Sequence, residues 1–190
     1  MIRAFIAIAL PATVQQSLGT LAKELQATRA AVSWVKPQNI HLTLKFLGDV
    51  TPEQISAIEA ALTQAVAGTA PLRLQPAGCG AFPTLKQMRV VWVGLQGDLA
   101  PLKSLQQAVE TALIPLGFEP EKRPFRAHLT LGRVKGRQGA RALQDALLAR
   151  QSFTAEAFDV AEVVLYRSEL RPEGAKYTRI FEKQLKEAVE

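Results

Sequence analysis

Short apolar stretches alternate along the chain with stretches that have helical spacing, and together they predict a mixture of strands and helices. The first is the nearly continuous apolar run 2–10, which predicts a buried strand ended by Pro11. Apolar residues after Pro11 recur with the period of a helix to about residue 30. The predicted strands are 2–10, 32–35, 40–47, 72–75, 88–95, 127–134, 153–158, 160–170 and 177–185, and the predicted helices are 11–30, 51–66, 99–116 and 139–150.

The order of these elements predicts the fold class. Thr51 and Pro52 are typical of a helix N-cap and the first helical position, and Gly117 stands where it can end the third helix. Strands and helices are mixed without strict alternation, which is typical of an α+β fold. They form two series of strand, helix and strand with no linker between them. We therefore predict one domain, 1–190, with two lobes that face each other after an internal duplication.

Composition indicates the kind of partner that the protein binds and the compartment in which it is found. The 190 residues are 48% hydrophobic, which is enough for a sizeable core. The net charge of +6 and the pI near 9.7 favour an anionic partner, such as nucleic acid or a phosphorylated small molecule. Cys79 is the only cysteine, so no internal disulfide can form, which fits a reducing compartment. Since no apolar stretch reaches the roughly 18 residues of a membrane span, we predict a soluble, cytoplasmic protein.

The strongest functional signal is a repeated tetrapeptide that contains both histidines of the chain. Residues 41–44 and 128–131 both read His-Leu-Thr-Leu, and both fall in predicted strands. Alternate side chains of a strand share a face, so the histidine and threonine of each copy point to one side and the leucines to the other. Two such strands side by side would bring two imidazoles and two hydroxyls into one cleft.

This set of side chains suits the hydrolysis of a phosphate ester. One neutral imidazole can take a proton from attacking water, while the other, protonated, gives a proton to the leaving oxygen. The hydroxyls of Thr43 and Thr130 can donate hydrogen bonds to the non-bridging phosphate oxygens. The step requires no metal and no cofactor.

Three competing interpretations of the histidines are weaker. A zinc site usually needs three or four ligands, and neither motif has a carboxylate close by. A Ser-His-Asp hydrolase would leave one histidine unexplained, and the chain contains no G-x-S-x-G. Two structural, buried histidines would not explain why the same tetrapeptide occurs twice.

Cations beside the motifs are candidates for substrate binding. Arg126 and Lys45 share strand parity with the histidine of their own motif, so both could reach the cleft. Arg133 has the opposite parity and reaches the cleft only if the strand bends or bulges after Gly132.

Parity and residue type also suggest where the aromatic residues lie. Phe46 has the parity of the motif leucines and is expected in the core with them. The aromatic residues that could stack on a base are Trp34, Trp92, Phe125 and Tyr177.

The two motifs and their flanks resemble the two-histidine (2H) phosphoesterases. The resemblance is greatest to the bacterial and archaeal RNA 2′,3′-cyclic phosphodiesterases, historically called 2′-5′ RNA ligases. It runs from end to end, and the segments that carry it are 3–8, 10–11, 34, 41–48, 125–133, 165–170, 174 and 177. It implies a bilobal α+β fold with pseudo-twofold symmetry, in which two mainly antiparallel sheets, flanked by helices, surround a central cleft.

The resemblance also implies an activity. RNA ends that carry a 2′,3′-cyclic phosphate would be hydrolysed to 2′-phosphate ends without a metal. His41 would be the general acid that protonates the departing 3′ oxygen, and His128 the general base that activates water. Thr43 and Thr130 would hold the phosphate. The partner would be RNA with such an end, for example a tRNA fragment, and the protein is expected to be a monomer.

Three alternatives stay open at this point. The same histidines could catalyse the reverse reaction, which is 2′-5′ RNA ligation. The substrate could instead be a small cyclic phosphate. The chain could also be a non-catalytic RNA-binding module, although binding alone has no need for a proton donor and a proton acceptor.

Overall fold

Two antiparallel sheets form the centre of the described part of the molecule, and helices pack against them. The computed structural model describes residues 1–187. None of the helices in this part of the chain is long and apolar enough to cross a membrane. The strands are β1 (Ile2–Ala9), β2 (Val32–Trp34), β3 (His41–Val50), β4 (Ala67–Gly68), β5 (Leu72–Thr84), β6 (Gln87–Gly97), β7 (His128–Val134), β8 (Phe158–Val160), β9 (Glu162–Arg171), β10 (Gly174–Gln184) and β11 (Lys186–Glu187), and the helices are α1 (Ala12–Gln26), α2 (Pro52–Ala65), α3 (Leu99–Leu113) and α4 (Ala140–Leu148).

The connectivity confirms the predicted α+β class. The first sheet has the strand order β10-β9-β1-β3, the second has the order β2-β7-β6-β5-β8, and all neighbours in both sheets are antiparallel. β4 and β11 form a separate parallel pair. One cluster of buried apolar side chains includes residues from both sheets and from α1 to α4, among them Ile6 and Leu129. The two sheets therefore share a core.

Local sequence signals determine several element boundaries. Thr51 caps α2 as predicted. Its hydroxyl oxygen accepts a hydrogen bond from the main-chain N–H of Gln54 at 3.4 Å, and the side-chain oxygen of Gln54 accepts one from the main-chain N–H of Thr51 at 2.9 Å. Gly117, with a φ of 87°, follows the 3₁₀ turn after α3. α1 ends at Gln26, before its predicted end, and three residues later Arg29 takes a φ of 54°, which does not continue a helix.

The pattern fails most clearly in the glycine- and proline-rich stretch 76–84, which lies between the predicted strands 72–75 and 88–95 and for which the pattern predicts no strand. It forms the second part of β5, because a bulge at residues 77–78 lets the pairing with β6 resume. Gly80 suits this strand because the ring of Trp92 lies against it, and a Cβ at Gly80 would be 2.7 Å from that ring. Residues 153–157, predicted as extended, make one isolated bridge to β5 before β8 begins.

Candidate active site

The two His-Leu-Thr-Leu motifs begin β3 and β7, which are the strands where the two sheets approach each other. β3 is the outer strand of the first sheet. The ladder between β7 and β2 covers only residues 132–134, so the motif half of β7 has a ladder partner on one side only, β6. Both motifs therefore lie at sheet edges, and these edges contact each other.

Each motif contains the same irregularity of the strand. In β3 the bulged residue is Leu44, which has no partner in β1 between Thr43 and Lys45. In β7 it is Leu131, the fourth residue of the second motif. A bulge places one extra residue in the strand and redirects the side chains that follow it. The two motifs thus share local geometry as well as sequence.

The predicted two-faced arrangement of each motif is confirmed. The four motif leucines are between 0% and 4% exposed and belong to the core cluster. The histidines and threonines are partly exposed and lie on the other face. The leucines anchor the strands in the core. Because the imidazoles and hydroxyls are on the opposite face, they are accessible to a substrate.

The bulge in β3 makes two predictions from strand parity wrong. Lys45 is 7% exposed and lies on the core side, where its Nζ donates to Glu110 Oε2 at 2.7 Å and to the Glu119 carbonyl oxygen at 2.6 Å. Phe46, predicted in the core, is 66% exposed and pairs with Phe5 on the face that carries the first imidazole. Lys45 is therefore bound inside the protein instead of facing the substrate cleft.

Both imidazoles are held in the same way by the main chain. His41 Nδ1 lies 2.7 Å from the carbonyl oxygen of Asn39, and His128 Nδ1 lies 2.6 Å from the carbonyl oxygen of Arg126. A carbonyl oxygen can only accept, so Nδ1 carries a proton in both rings and Nε2 is left for chemistry. Neutral, Nε2 can accept a proton; protonated, it can donate one.

Aromatic rings surround the first imidazole. The Phe5 ring, 3% exposed, stacks on His41 with ring centroids 4.7 Å apart, and the Tyr177 ring meets it edge-on at 5.3 Å. Tyr166 stacks on Phe5 with ring centroids 5.2 Å apart, and its centroid is 6.5 Å from that of His41. Burial lowers the pKa of His41, and the hydrogen bond to the Asn39 carbonyl opposes that shift.

The second imidazole has a different neighbourhood. The Phe82 ring meets His128 edge-on, with centroids 5.0 Å apart, and the guanidinium carbon of Arg126 lies 5.9 Å from the centroid of Phe82. Trp92 packs 5.2 Å from Phe82 and is the cross-strand neighbour of Thr130. Arg126 thus adds an exposed positive charge near His128.

The strand carrying Arg133 does bulge, but the bulge lies at Leu131, before Gly132, and not after Gly132 as the prediction required. Arg133 is exposed. Burial raises the pKa of Tyr177, and the positive charges of Arg133 and Arg3 oppose that shift. Arg133, from the second motif strand, therefore lies near the aromatic group of the first motif.

Sequence reasoning missed three aromatic residues of this site, Phe5, Tyr166 and Phe82. The alternation within β1 could have indicated that Phe5 faces away from its aliphatic neighbours, but Phe82 lies in a stretch for which the pattern predicts no strand. In the part of the chain that the structure describes, two of the predicted stacking residues make no ring contact with either histidine: Trp34 pairs with Gly132 of β7, and Phe125 lines an apolar groove beside the start of α3. Within residues 1–187, no group of three or more His, Cys, Asp or Glu side chains could hold a metal ion.

Comparisons with known proteins agree with a repeated architecture. The sequence profile of a family described as LigT like Phosphoesterase matches the chain twice, over residues 8–92 and 93–177. Each match contains one His-Leu-Thr-Leu motif. The repeat that the two motifs suggested thus extends over the matched part of each half.

Related sequences and structures cover nearly the whole chain. The chain is 34% identical over 177 residues to an RNA 2′,3′-cyclic phosphodiesterase of Methanothermobacter thermautotrophicus, covering 93% of this chain and 95% of that protein. It is 34% identical over 182 residues to one of Archaeoglobus fulgidus, covering 95% and 99%. Among solved structures, TT0787 of Thermus thermophilus superimposes with a TM-score of 0.79 at 26% identity, covering 98% and 99%. Escherichia coli LigT complexed with 3′-AMP superimposes with a TM-score of 0.75 at 25% identity, covering 97% and 98%.

Proposed function

Because this chain belongs to the LigT-like phosphoesterase family, we propose that it hydrolyses RNA 2′,3′-cyclic phosphate ends to 2′-phosphate ends. One observation carries the proposal: two strands in contact each present an imidazole and a hydroxyl, and both imidazoles are held at Nδ1 by a main-chain carbonyl. The names of the relatives supply the substrate class, and the complex of LigT with 3′-AMP supports a site for a nucleotide phosphate.

In the proposed step, water attacks phosphorus while the 3′ oxygen leaves. His128 Nε2 takes a proton from the water, and His41 Nε2–H gives a proton to the 3′ oxygen as its bond to phosphorus breaks. The bond to the 2′ oxygen stays intact, so the product is a 2′-phosphate. Thr43 and Thr130 donate hydrogen bonds to the non-bridging oxygens, where charge builds up in the transition state. Solvent then restores the proton on His41 and removes the one on His128.

The environment of His41 constrains its role as the acid. Burial lowers the pKa of His41 in the free protein, which favours the neutral ring. A bound phosphate places a negative charge beside the ring, and an opposite charge nearby favours the protonated form. Substrate binding is therefore expected to load His41 with the proton that it later donates.

The proposed activity is tested with an RNA oligonucleotide that ends in a 2′,3′-cyclic phosphate, in the presence of EDTA. Phosphorus NMR should show conversion to a 2′-phosphomonoester. His41→Ala and His128→Ala should each lower kcat by about 10²–10⁴, which is the usual contribution of general acid–base catalysis. Gln107→Ala, on the exposed face of α3, serves as the control and should keep the full rate.

Other outcomes would identify the alternatives. Joining of a 5′-hydroxyl RNA to the cyclic end would point to ligation, and turnover of mononucleotides alone would point to a small cyclic phosphate. RNA affinity unchanged by both histidine substitutions, without any turnover, would indicate a binding module. Loss of activity on adding EDTA would contradict the metal-free mechanism.

We further propose that the chain acts as a monomer in the cytoplasm and that tRNA fragments are among its substrates. Light scattering during gel filtration, with and without the oligonucleotide, tests the monomer. Sequencing of RNA with cyclic phosphate ends, in cells with and without the protein, tests the substrate.

A further inference from the structure

The main-chain carbonyl of the bulged leucine in each motif accepts a hydrogen bond from a segment other than the strand opposite the bulge. In the second motif, the main-chain N–H of Val35 donates to the Leu131 carbonyl oxygen at 2.8 Å. In the first motif, the donor is a side chain: Gln106 Nε2 lies 3.4 Å from the Leu44 carbonyl oxygen. The two bulges therefore receive equivalent hydrogen bonds from donors of different kinds.

The place of each strand in its sheet explains the difference. β7 has β2 beside it, and Val35 directly follows β2. In the described part of the chain, β3 is the outer strand of the first sheet, so no strand of that sheet lies on its other side. A buried main-chain carbonyl needs a donor, and Gln106 of α3 supplies it to Leu44.

Gln106 is itself held in place within the protein. It is 8% exposed, and its Nε2, which carries two protons, also donates to Glu110 Oε1 at 3.2 Å. Glu110 Oε2 accepts from Lys45 Nζ at 2.7 Å, so Leu44 and Lys45 are both bound to α3. The polar or charged residues that are buried within 1–187 are Lys45, Gln106 and Glu110. All of them belong to this one network beside the first bulge.

The network adjoins the hydroxyl that is proposed to bind the phosphate. Thr43 directly precedes Leu44, and a bulge sets the direction of the backbone and of the side chains next to it. Without the Gln106 amide, the buried carbonyl of Leu44 would turn toward another donor. That turn would rotate the backbone beside Thr43.

We propose that Gln106 is a positioning residue, which holds the hydroxyl of Thr43 in its reactive orientation through the carbonyl of Leu44. The inference rests on the proposed function, in which this hydroxyl donates to a non-bridging phosphate oxygen. Gln106 is buried beneath the first motif and acts on the reaction only through that motif.

Loss of this donor should lower the rate more than the affinity, because the hydroxyl's hydrogen bond gains strength as charge builds up in the transition state. Gln106→Met has a side chain of similar length without an N–H. It should lower the single-turnover rate about tenfold and change KM little, since a misplacement of about 1 Å can cost up to about 10²-fold. Gln107→Met makes the same substitution at the next, exposed position of α3 and should change neither.

Double-mutant cycles on the RNA oligonucleotide with a cyclic phosphate end test the route through Thr43. Gln106→Met should add little to Thr43→Val, because the hydroxyl that it positions is already gone. Combined with Thr130→Val, the two losses should multiply, because Val35 holds the second bulge. A merely structural role would multiply the losses in both cycles. The rates are measured at a temperature where circular dichroism shows that every variant is folded.

A second variant serves in the same cycles if Gln106→Met does not fold. Gln106→Asn keeps a polar amide in the buried site but ends one carbon short of the Leu44 carbonyl. It should lower the rate of the wild-type background and, again, add little to Thr43→Val.

The outcomes separate this inference from the proposed function. If wild type hydrolyses the oligonucleotide and the loss from Gln106→Met multiplies with that from Thr43→Val, the positioning role is wrong while the activity stands. An unchanged rate in the folded Gln106 variants has the same meaning. If wild type does not hydrolyse the oligonucleotide, the proposed function fails, and the inference fails with it.

Discussion

Replacing Lys45 with methionine should destabilise the protein strongly without weakening substrate binding. Lys45 Nζ lies 2.7 Å from Glu110 Oε2 and 2.6 Å from the Glu119 carbonyl oxygen, and the Lys45 and Glu110 side chains are 7% and 12% exposed. Removing one partner of a buried ion pair leaves the other charge without compensation and costs about 3–5 kcal/mol. Two charge-assisted hydrogen bonds at about 1.5–3 kcal/mol each give a similar figure.

This loss should be easy to measure. In a domain of this size, each kcal/mol shifts Tm by about 2–4 °C, so Lys45→Met should lower Tm by roughly 6–20 °C. Urea unfolding followed by circular dichroism gives the free energy of unfolding directly. KM, measured where the variant is fully folded, should stay close to the wild-type value, because the lysine lies on the core side of β3.

The chain offers a matched control for the effect of burial. Arg73 and Asp159 form an ion pair at the same 2.7 Å distance, but their side chains are 62% and 69% exposed. Arg73→Met should cost no more than about 1 kcal/mol, because solvent screens an exposed pair. Lys45→Met together with Glu110→Gln should recover part of the loss, because no uncompensated carboxylate remains while an amide oxygen can still accept from Gln106 or from the Glu121 main chain.

Two results would refute this reasoning. A cost for Lys45→Met no larger than that for Arg73→Met would show that burial does not strengthen the pair. A raised KM with unchanged stability would show that Lys45 binds the substrate, as strand parity had suggested.

Three further predictions address the site and its support. Thr43→Val and Thr130→Val should each lower kcat about 10²-fold in single-turnover assays if the hydroxyls stabilise the transition state, and near-normal rates would remove them from the mechanism. An acid must be protonated to act. Burial lowers the pKa of His41 in the free protein below its ordinary 6.5, and kcat/KM should fall as the pH rises through that lowered pKa. The corresponding fall in kcat should come at higher pH, because bound phosphate raises that pKa, and coincident profiles would argue against contact between ring and phosphate. Gly80→Ala places a Cβ 2.7 Å from the Trp92 ring and should cost about 1–3 kcal/mol in urea unfolding, whereas unchanged stability would mean that the ring can move aside.

The two imidazoles differ in surroundings although their motifs are identical. His41 is enclosed by rings from β1 and β10, while His128 contacts one ring edge and lies near the Arg126 guanidinium. The two identical motifs therefore stand in different environments, and burial lowers the pKa of His41.

The residue pattern was sufficient for the central part of the site. Alternation along a strand is local, so it placed the leucines of 41–44 and 128–131 in the core and the histidines and threonines on the other face. It was sufficient for the cap at Thr51 for the same reason. The prediction from alternation failed at Lys45 and Phe46. Their faces depend on a bulge in the pairing of β3 with β1, and the order of residues does not indicate such a bulge.

The sequence by itself determined the class of fold, the repeat and the chemical groups of the candidate site, because these follow from residue type and short-range periodicity. Only the tertiary structure decided which other side chains lie next to those groups. Pairing between strands turned Lys45 inward and Phe46 and Arg133 outward, and it carried Phe5 and Tyr177 from distant parts of the chain to His41. Burial, and with it the lowered pKa of His41, arises from contacts between distant segments, which no local pattern of residues specifies.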